Sequence, residues 1–447
     1  MAGVVGAPAT MRTTLMTNSC RSIAVLFVLG SLAASTQKPP TGRDLDGLVA
    51  QFLRLDSSTK AGDQAQQMLL ARLALVPDLT DRQQSTWIRK IGKLWTKGHK
   101  LEKSGDNWYW PRTKQEKKDK VAQRGRYIVG GQTRKPKGLA IAMHGGGLGS
   151  GDAGAAAAGY RAACKDLDLL MIAPEVLEKT AHGWTDSGTE EFVMELIDDA
   201  LRTFKIDPDR VYLVGHSMGG YGSWTLGGHH ADRLAAIAPS AGAPTPIRER
   251  RGGPVVAIAE GVIPSLRNVF VSVYQSLDDP RVPPAPNQCA VKLLGAGQQQ
   301  WGGYEHSYWE VDGRGHAAPP GGFKAQLEKV VTKARNPVPE RLVWQPVLAW
   351  KRQFYWLYWE RPCINAVVVA DIDRQANAIR ITSDQPTQGL RVLLDSRMLD
   401  LAKEVLVMVN GAEVRRERVA PKLGTLLQTS LHPDPKLQFA CSVAAYE

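Results

Sequence analysis

Ser217 stands in Gly215-His216-Ser217-Met218-Gly219, and its neighbours are those a nucleophilic serine needs. Val211 to Val214 have the β-branched, aromatic and aliphatic side chains of a strand and run straight into it, and a helix-compatible stretch, Tyr221 to Leu226, follows. A strand, Gly-x-Ser-x-Gly and a helix are the sequence form of a nucleophile elbow. This sharp turn lifts the hydroxyl clear of the sheet and aims the next backbone N–H, that of Met218, at a developing oxyanion. A side chain at Gly215 or Gly219 would collide with backbone in so tight a turn.

A serine hydroxyl needs a neutral histidine to take its proton, and that histidine needs a carboxylate to fix its tautomer. His229 and His230 end the helix that leaves the elbow, too near in sequence to fold back on Ser217, and His306 belongs to a strand. His316 lies in Asp-Gly-Arg-Gly-His-Ala-Ala-Pro-Pro, a loop after the last strand of the region, and is the expected base. Asp279 is the expected acid, because Asp-Pro-Arg-Val-Pro places a stiff turn after its carboxylate; Asp278 is the neighbouring alternative. The chain order Ser217, Asp279, His316 fits an α/β sheet. After the strand Leu139–Met143 comes His144-Gly145-Gly146-Gly147, whose backbone can approach a substrate oxygen closely. Gly146 is the expected second oxyanion donor, with Gly145 in reserve, and His144 a structural hydrogen-bonder. Trp184 and Tyr221 are tentative acyl-pocket residues. The chemistry these groups support needs neither metal nor cofactor.

Elements must bring these groups together. Strands are expected at Trp108–Trp110, Tyr127–Val129, Leu139–Met143, Leu169–Pro174, Leu234–Ala238, Val269–Tyr274 and Tyr308–Val311. Helices alternate with them at Ala155–Lys165, Glu190–Phe204 and Lys324–Ala334. Alternating β and α units imply a mostly parallel sheet covered on both faces, with its ligand at the C-terminal strand ends. Residues 244 to 266, with Arg-Glu-Arg-Arg-Gly-Gly-Pro, interrupt the rhythm as either a partial lid or an extended connection.

With these motifs in hand, the stretch from about Asn107 to Ala334 resembles the α/β-hydrolase family. Gly-His-Ser-Met-Gly-Gly-Tyr-Gly-Ser-Trp, the His-Gly-Gly-Gly loop and Asp-Pro-Arg-Val-Pro are similar to secreted branches related to feruloyl esterases, polyhydroxyalkanoate depolymerases and dienelactone hydrolase. The resemblance implies a serine esterase of the carboxylesterase or feruloyl-esterase kind, working through a Ser-His-Asp triad and an acyl-enzyme. Prolyl-oligopeptidase-type peptidases share a similar elbow, so a peptidase is the alternative reading. An inactive hydrolase fold that binds glycan is a third. Glu190 and Glu191, which could hold a substrate amino terminus in a peptidase, are expected instead to favour the start of their helix.

The whole chain has 447 residues, 43% hydrophobic and 22% charged, enough apolar material for several packed layers. Four regions are expected: a signal peptide at 1-35, a helical region at 41-103, the hydrolase domain at 104-335 and an all-β, sandwich-like domain at 340-447. Arg12 and Arg21, the apolar run Ile23–Leu29 and the small residues that follow predict export to a secreted or periplasmic location. Leu45, Leu48, Val49, Phe52 and Leu53 lie on one helical stripe, and Thr80 opens a capping box. Arg335-Asn-Pro-Val-Pro reads as a linker, and Asn410-Gly411 as a hairpin turn. The rings of Trp344, Trp350, Phe354, Tyr355, Trp356, Tyr358 and Trp359 either fill the sandwich or stack on sugars. Of the cysteines left once Cys20 is removed with the signal peptide, Cys363 and Cys441 are the expected pair, while Cys164 is expected as a buried thiol. The net charge is +12, part of it crowded between Arg112 and Arg126, a pattern of a solvated loop. No nucleic-acid motif accompanies it. The expected partner is a small-molecule or polysaccharide-linked ester, with no stable membrane span after signal cleavage.

Overall fold

The protein is described by a computed structural model over residues 38–55 and 59–447; the expected signal peptide and Cys20 lie outside the described residues. The first elements are α1 (Gly42–Phe52), α2 (Lys60–Leu73) and α3 (Asp81–Thr96). Thr80 caps α3 as its sequence predicts: its hydroxyl accepts from Gln83 N–H at 3.3 Å, and Gln83 accepts from Thr80 N–H at 2.9 Å. The apolar stripes of these helices do not meet the central sheet. Leu48, Phe52, Leu69, Trp87 and Ile91 pack on Leu423, Leu426 and Ala440, near the other end of the chain.

The central sheet follows. It is built from β1 (Gly105–Trp110), then after the short exposed α4 (Lys114–Lys118) β2 (Arg124–Gly131) and β3 (Gly138–Met143). The alternation begins with α5 (Ala153–Asp166), β4 (Leu169–Pro174), α6 (Thr189–Phe204), β5 (Val211–His216), α7 (Met218–His229) and β6 (Ala236–Ser240). A two-stranded hairpin, β7 (Pro246–Arg248) with β8 (Val255–Ile258), occupies the segment that the sequence leaves as lid or connection. Then come β9 (Phe270–Ser276), α8 (Ala285–Trp301), β10 (His306–Val311) and α9 (Gly322–Val330). The eight strands lie in the order β1-β2-β4-β3-β5-β6-β9-β10. β2 runs antiparallel to β1 and β4, and every other pairing in the sheet is parallel.

Period-two alternation sorts the layers. Leu139, Ile141 and Met143 of β3 join Phe192, Trp224 and Leu294 of α6, α7 and α8 on one face. Ala140 and Ala142 join Tyr160 of α5 and Leu327 of α9 on the other. Small alanines on that second face let α5 lie close to the strands.

The C-terminal strands form two further sheets. One orders β11 (Arg341–Trp344), β14 (Val368–Asp373), β15 (Ala378–Ser383), β17 (Val405–Val409) and β18 (Ala412–Glu417). The other orders β12 (Gln353–Phe354), β13 (Leu357–Trp359), β16 (Leu390–Leu394) and β19 (Cys441–Ala444), with the short α10 (Leu423–Gln428) before the last strand. Asn410 and Gly411 both have positive φ, 49° and 84°, as the turn between β17 and β18 requires.

Trp344, Phe354, Tyr355, Trp356, Tyr358 and Trp359 are buried core rings, whereas Trp350 is half-buried, its ring 5.7 Å from that of His230. The buried rings fill a cluster continuous with Trp224 and Leu294 of the central-sheet layers, and residues 39–447 pack as one unit. The proline-rich segment is held firmly too. Arg335 is buried and binds Asp209 Oδ1 and Asp434 Oδ2, each at 2.7 Å, and the Asp232 carbonyl at 2.6 Å. The expected Cys363–Cys441 disulfide is not formed. Cys441 is committed to β19, where its thiol is buried in that same apolar core. Cys164 is a buried thiol, as expected, and burial pushes it up to about 12. No helix among the described residues is long and apolar enough to cross a membrane.

Candidate active site

β5 delivers Ser217 in a conformation that few residues tolerate, φ 58° and ψ −123°. The glycines on either side explain how. A Cβ on Gly215 would stand 2.3 Å from the Gly219 carbonyl oxygen, and one on Gly219 would stand 2.0 Å from that of Met143. The elbow therefore closes directly onto the end of β3. Met218 opens α7, and the first N–H groups of a helix have no acceptor within it.

From the loop after β10, His316 brings Nε2 to 2.9 Å from Ser217 Oγ and Nδ1 to 2.8 Å from Asp279 Oδ2. Asp279 follows β9, and its side chain is fully buried. Its other oxygen accepts the backbone N–H of Arg281 at 2.8 Å and of Val282 at 3.0 Å, so the turn after the carboxylate fixes it from both ends. Asp278 faces elsewhere. It accepts the Ser276 hydroxyl at 2.5 Å and the backbone N–H groups of Arg314 at 3.1 Å and Gly315 at 2.9 Å. These bonds hold the loop that carries His316.

Gly146 has φ 150° and a Cβ there would meet the Ser150 carbonyl oxygen at 2.4 Å, so this position of the loop after β3 is reserved for glycine. Gly146 lines the same cleft as Ser217 and Met218; Gly145 packs against the elbow, its own Cβ position 2.9 Å from the His216 carbonyl oxygen. His144 is structural. Its Nε2 accepts from Val176 N–H at 3.2 Å, its Nδ1 is 2.9 Å from the Gly145 carbonyl, and burial holds it below the usual histidine range.

The cleft has a volume of about 550 Å³. Tyr221 lines it, and its hydroxyl pairs with Thr185 at 3.0 Å. Trp184 does not reach it. It is fully buried beneath His144, with Nε1 donating to the His144 carbonyl at 3.2 Å, so the tentative acyl-pocket role is withdrawn in favour of a core one. The first strand of the β7–β8 hairpin borders the cleft through Pro246 and Arg248.

The sequence passes over His216, the residue before the nucleophile. Its ring lies 5.0 Å from that of His316, its Nδ1 is 3.1 Å from Ser240 Oγ, and burial, followed by the proximity of His316, holds it down to about 4. A neutral imidazole thus flanks the base. Glu190 lies away from the cleft, buried, with His229 Nδ1 and His230 Nε2 each 2.8 Å from its Oε1. Burial works to raise its pKa, yet the bonds from both histidines prevail and bring it to about 2. Among the described residues no cluster of side chains could hold a metal ion.

A serine turned out after β5, a glycine loop after β3, an acid after β9 and a histidine after β10 converge at one end of a mostly parallel sheet. The chain has the α/β-hydrolase fold. No family model matches the chain. It is 29% identical over 207 residues to "Putative esterase NocK" of Nocardia uniformis subsp. tsuyamanensis. That match takes in 42% of this chain and 58% of the relative, so the chain spans little more than half the relative's length. Among solved structures, a CE1 ferulic acid esterase from Anaeromyces mucronatus is 18% identical, covers 53% of this chain and 92% of its own, and has a TM-score of 0.35. A thermostable esterase is 19% identical over 47% of this chain and 59% of its own, with a TM-score of 0.36. Overlaps this partial leave the function to be argued from the site.

Proposed function

We propose that this α/β-hydrolase cleaves carboxylic esters, with Ser217 as nucleophile, His316 as general base and then acid, and Asp279 as the residue that orients and steadies the imidazolium. The observation that carries this reading is the chain of contacts from Ser217 Oγ through His316 to Asp279, 2.9 and 2.8 Å long, opening on the cleft. Ser217 Oγ attacks the ester carbonyl carbon while its proton passes to His316 Nε2. The carbonyl oxygen becomes an oxyanion held by the backbone N–H groups of Met218 and Gly146, each such donor being worth about 10²–10³ in turnover. Collapse breaks the bond to the alcohol, which leaves with the proton from His316. Water then repeats the sequence on the acyl-serine: His316 takes its proton, and the acid departs as Ser217 recovers its own.

An ester is favoured over a peptide because neither Glu190 nor Glu191, the two carboxylates that could grip a substrate amino terminus, lines the cleft, and Glu190 is buried against two histidines. The similarity to a protein named as an esterase points the same way. The test pairs a fluorophosphonate label with 4-nitrophenyl esters and aminoacyl-4-nitroanilides. Wild-type protein is expected to take the label and release nitrophenol, and Ser217→Ala to lose on the order of 10⁶ in kcat with its melting temperature unchanged. Release of nitroaniline through Ser217 with no ester turned over would establish a peptidase instead.

A further inference from the structure

We infer that the natural substrate is an ester bearing a carboxylate, and that Arg248 and Arg281 receive that charge in the cleft beside Ser217. This rests on the ester reading above and adds the substrate class to it. Both arginines line the cleft with Ser217, Arg248 from the β7–β8 hairpin and Arg281 from the turn after β9, while no aspartate or glutamate lines it. Arg248 ends β7 and is steadied by one bond, from Nη1 to the Gly253 carbonyl at 2.7 Å, which leaves most of its N–H donors uncommitted. Arg281 follows the acid turn, and its backbone N–H is tied to Asp279 Oδ1 at 2.8 Å, so its side chain springs from a fixed point beside the reacting groups.

The nearby carboxylates do not cancel these charges. Asp279 is buried and spent on His316, and Asp278 is engaged by Ser276, Arg314 and Gly315. Among the described residues neither guanidinium forms an ion pair with a carboxylate, whereas Arg126, Arg233, Arg335 and Arg341 each do. The rest of the lining is largely apolar and stiff, with Met218, Pro244, Pro246, Val282, Pro283 and Pro286. A cleft with cations of one sign set in low-dielectric walls concentrates the field and draws in an anion. A guanidinium and a carboxylate also match in shape, through paired N–H···O bonds. The substrate thus has an apolar body against the prolines and a carboxylate at the arginines.

The test compares matched esters at low ionic strength. Mono-4-nitrophenyl succinate and 4-nitrophenyl butyrate differ by a carboxylate in the acyl group; 4-carboxyphenyl acetate and phenyl acetate differ by one in the alcohol. In at least one pair the anionic ester is expected to lead in kcat/KM by about tenfold or more, chiefly through KM, with the lead shrinking as salt is added. Arg248→Gln with Arg281→Gln is expected to bring that ratio to near one, and Arg281→Lys to restore part of it. An equal or neutral preference in both pairs, or a ratio untouched by the double substitution, overturns the inference while leaving ester hydrolysis standing. If no ester is turned over at all, the ester reading fails. Calorimetric titration of the same esters into Ser217→Ala protein then decides the charge question alone, tighter binding of an anionic ester supporting it and equal binding refuting it.

Discussion

Asp278 and Asp279 are neighbours in the chain with different work. Asp279 touches His316 Nδ1, whereas Asp278 grips the loop on which His316 rides. Asp279→Asn leaves the shape intact but presents an amide to the imidazole, and a loss on the order of 10⁴ in kcat is expected. Asp278→Asn keeps an oxygen for the loop N–H groups and should cost far less. Asp278→Ala removes it and should fall between the two, losing kcat with little change in KM. Steady-state kinetics on one aryl ester settle the ranking, and Asp278→Asn as damaging as Asp279→Asn would refute it. At this scale the sequence is readable where a motif ties residue type to chain order: Ser217, Asp279 and His316 are legible from their motifs, and the fold brings the three side chains into contact. His216 is not legible, since the middle positions of Gly-x-Ser-x-Gly are free in the motif and nothing local tells that a ring packs against the base. Trp184 is not readable either: its place before α6 does not say that its ring turns under His144 into the core rather than into the cleft.

The elbow works as an element because β3, β5 and α7 meet with almost no space between them. Gly219→Ala would force a Cβ to 2.0 Å from the Met143 oxygen, where no flexible side chain can yield. Either β3 or the elbow must shift, and soluble Gly219→Ala protein is expected to lose activity together with several degrees of melting temperature. A fully active, equally stable variant would show the contact to be looser than described. The elements themselves were readable to different depths. Leu169–Pro174 shows its bounds because a continuous apolar run ends in a turn signal. α8 did not, although it spans Ala285–Trp301. Pro284 and Pro286 read as breakers, yet proline is at home in the first turn of a helix, and Gly295 and Gly297 blur the stripe beyond it. α10 leaves no helical signal in the sequence because its six residues are too few to show a period.

Across the molecule, the boundary the sequence draws at residues 335–340 coincides with a buried ionic junction rather than a free hinge. Arg335 joins Asp209, from the central-sheet layers, to Asp434, from the C-terminal region. Arg335→Leu would leave the buried Asp434 without its paired guanidinium while Asp209 keeps Lys436, and a loss of about 3–5 kcal/mol in denaturant unfolding is expected; a loss below 1 kcal/mol would mean that solvent takes over. The fold should also weaken in acid. Burial and then Arg233 hold His432 down to about 3, and burial holds His216 to about 4, whereas both take a proton near 6.5 once unfolded. Between those values the unfolded chain binds more protons, so stability falls as the pH drops from about 6.5 toward 4. Melting temperatures across that range should decline, and His432→Gln should flatten the decline; a flat wild-type profile would contradict the assignment. The docking of α1–α3 on α10 carries a further consequence, for the order in which the chain takes shape. Trp95 finds its partner Ser430 335 residues later. At the usual pace of synthesis that interval lasts about 17–67 s, during which the earliest helices are finished but lack the leucines of α10 that complete their apolar cluster. Their exposed leucines and tryptophans must be kept from other chains until the last strand is made, so a ribosome stalled near residue 420 would hold an assembled sheet with an unseated beginning.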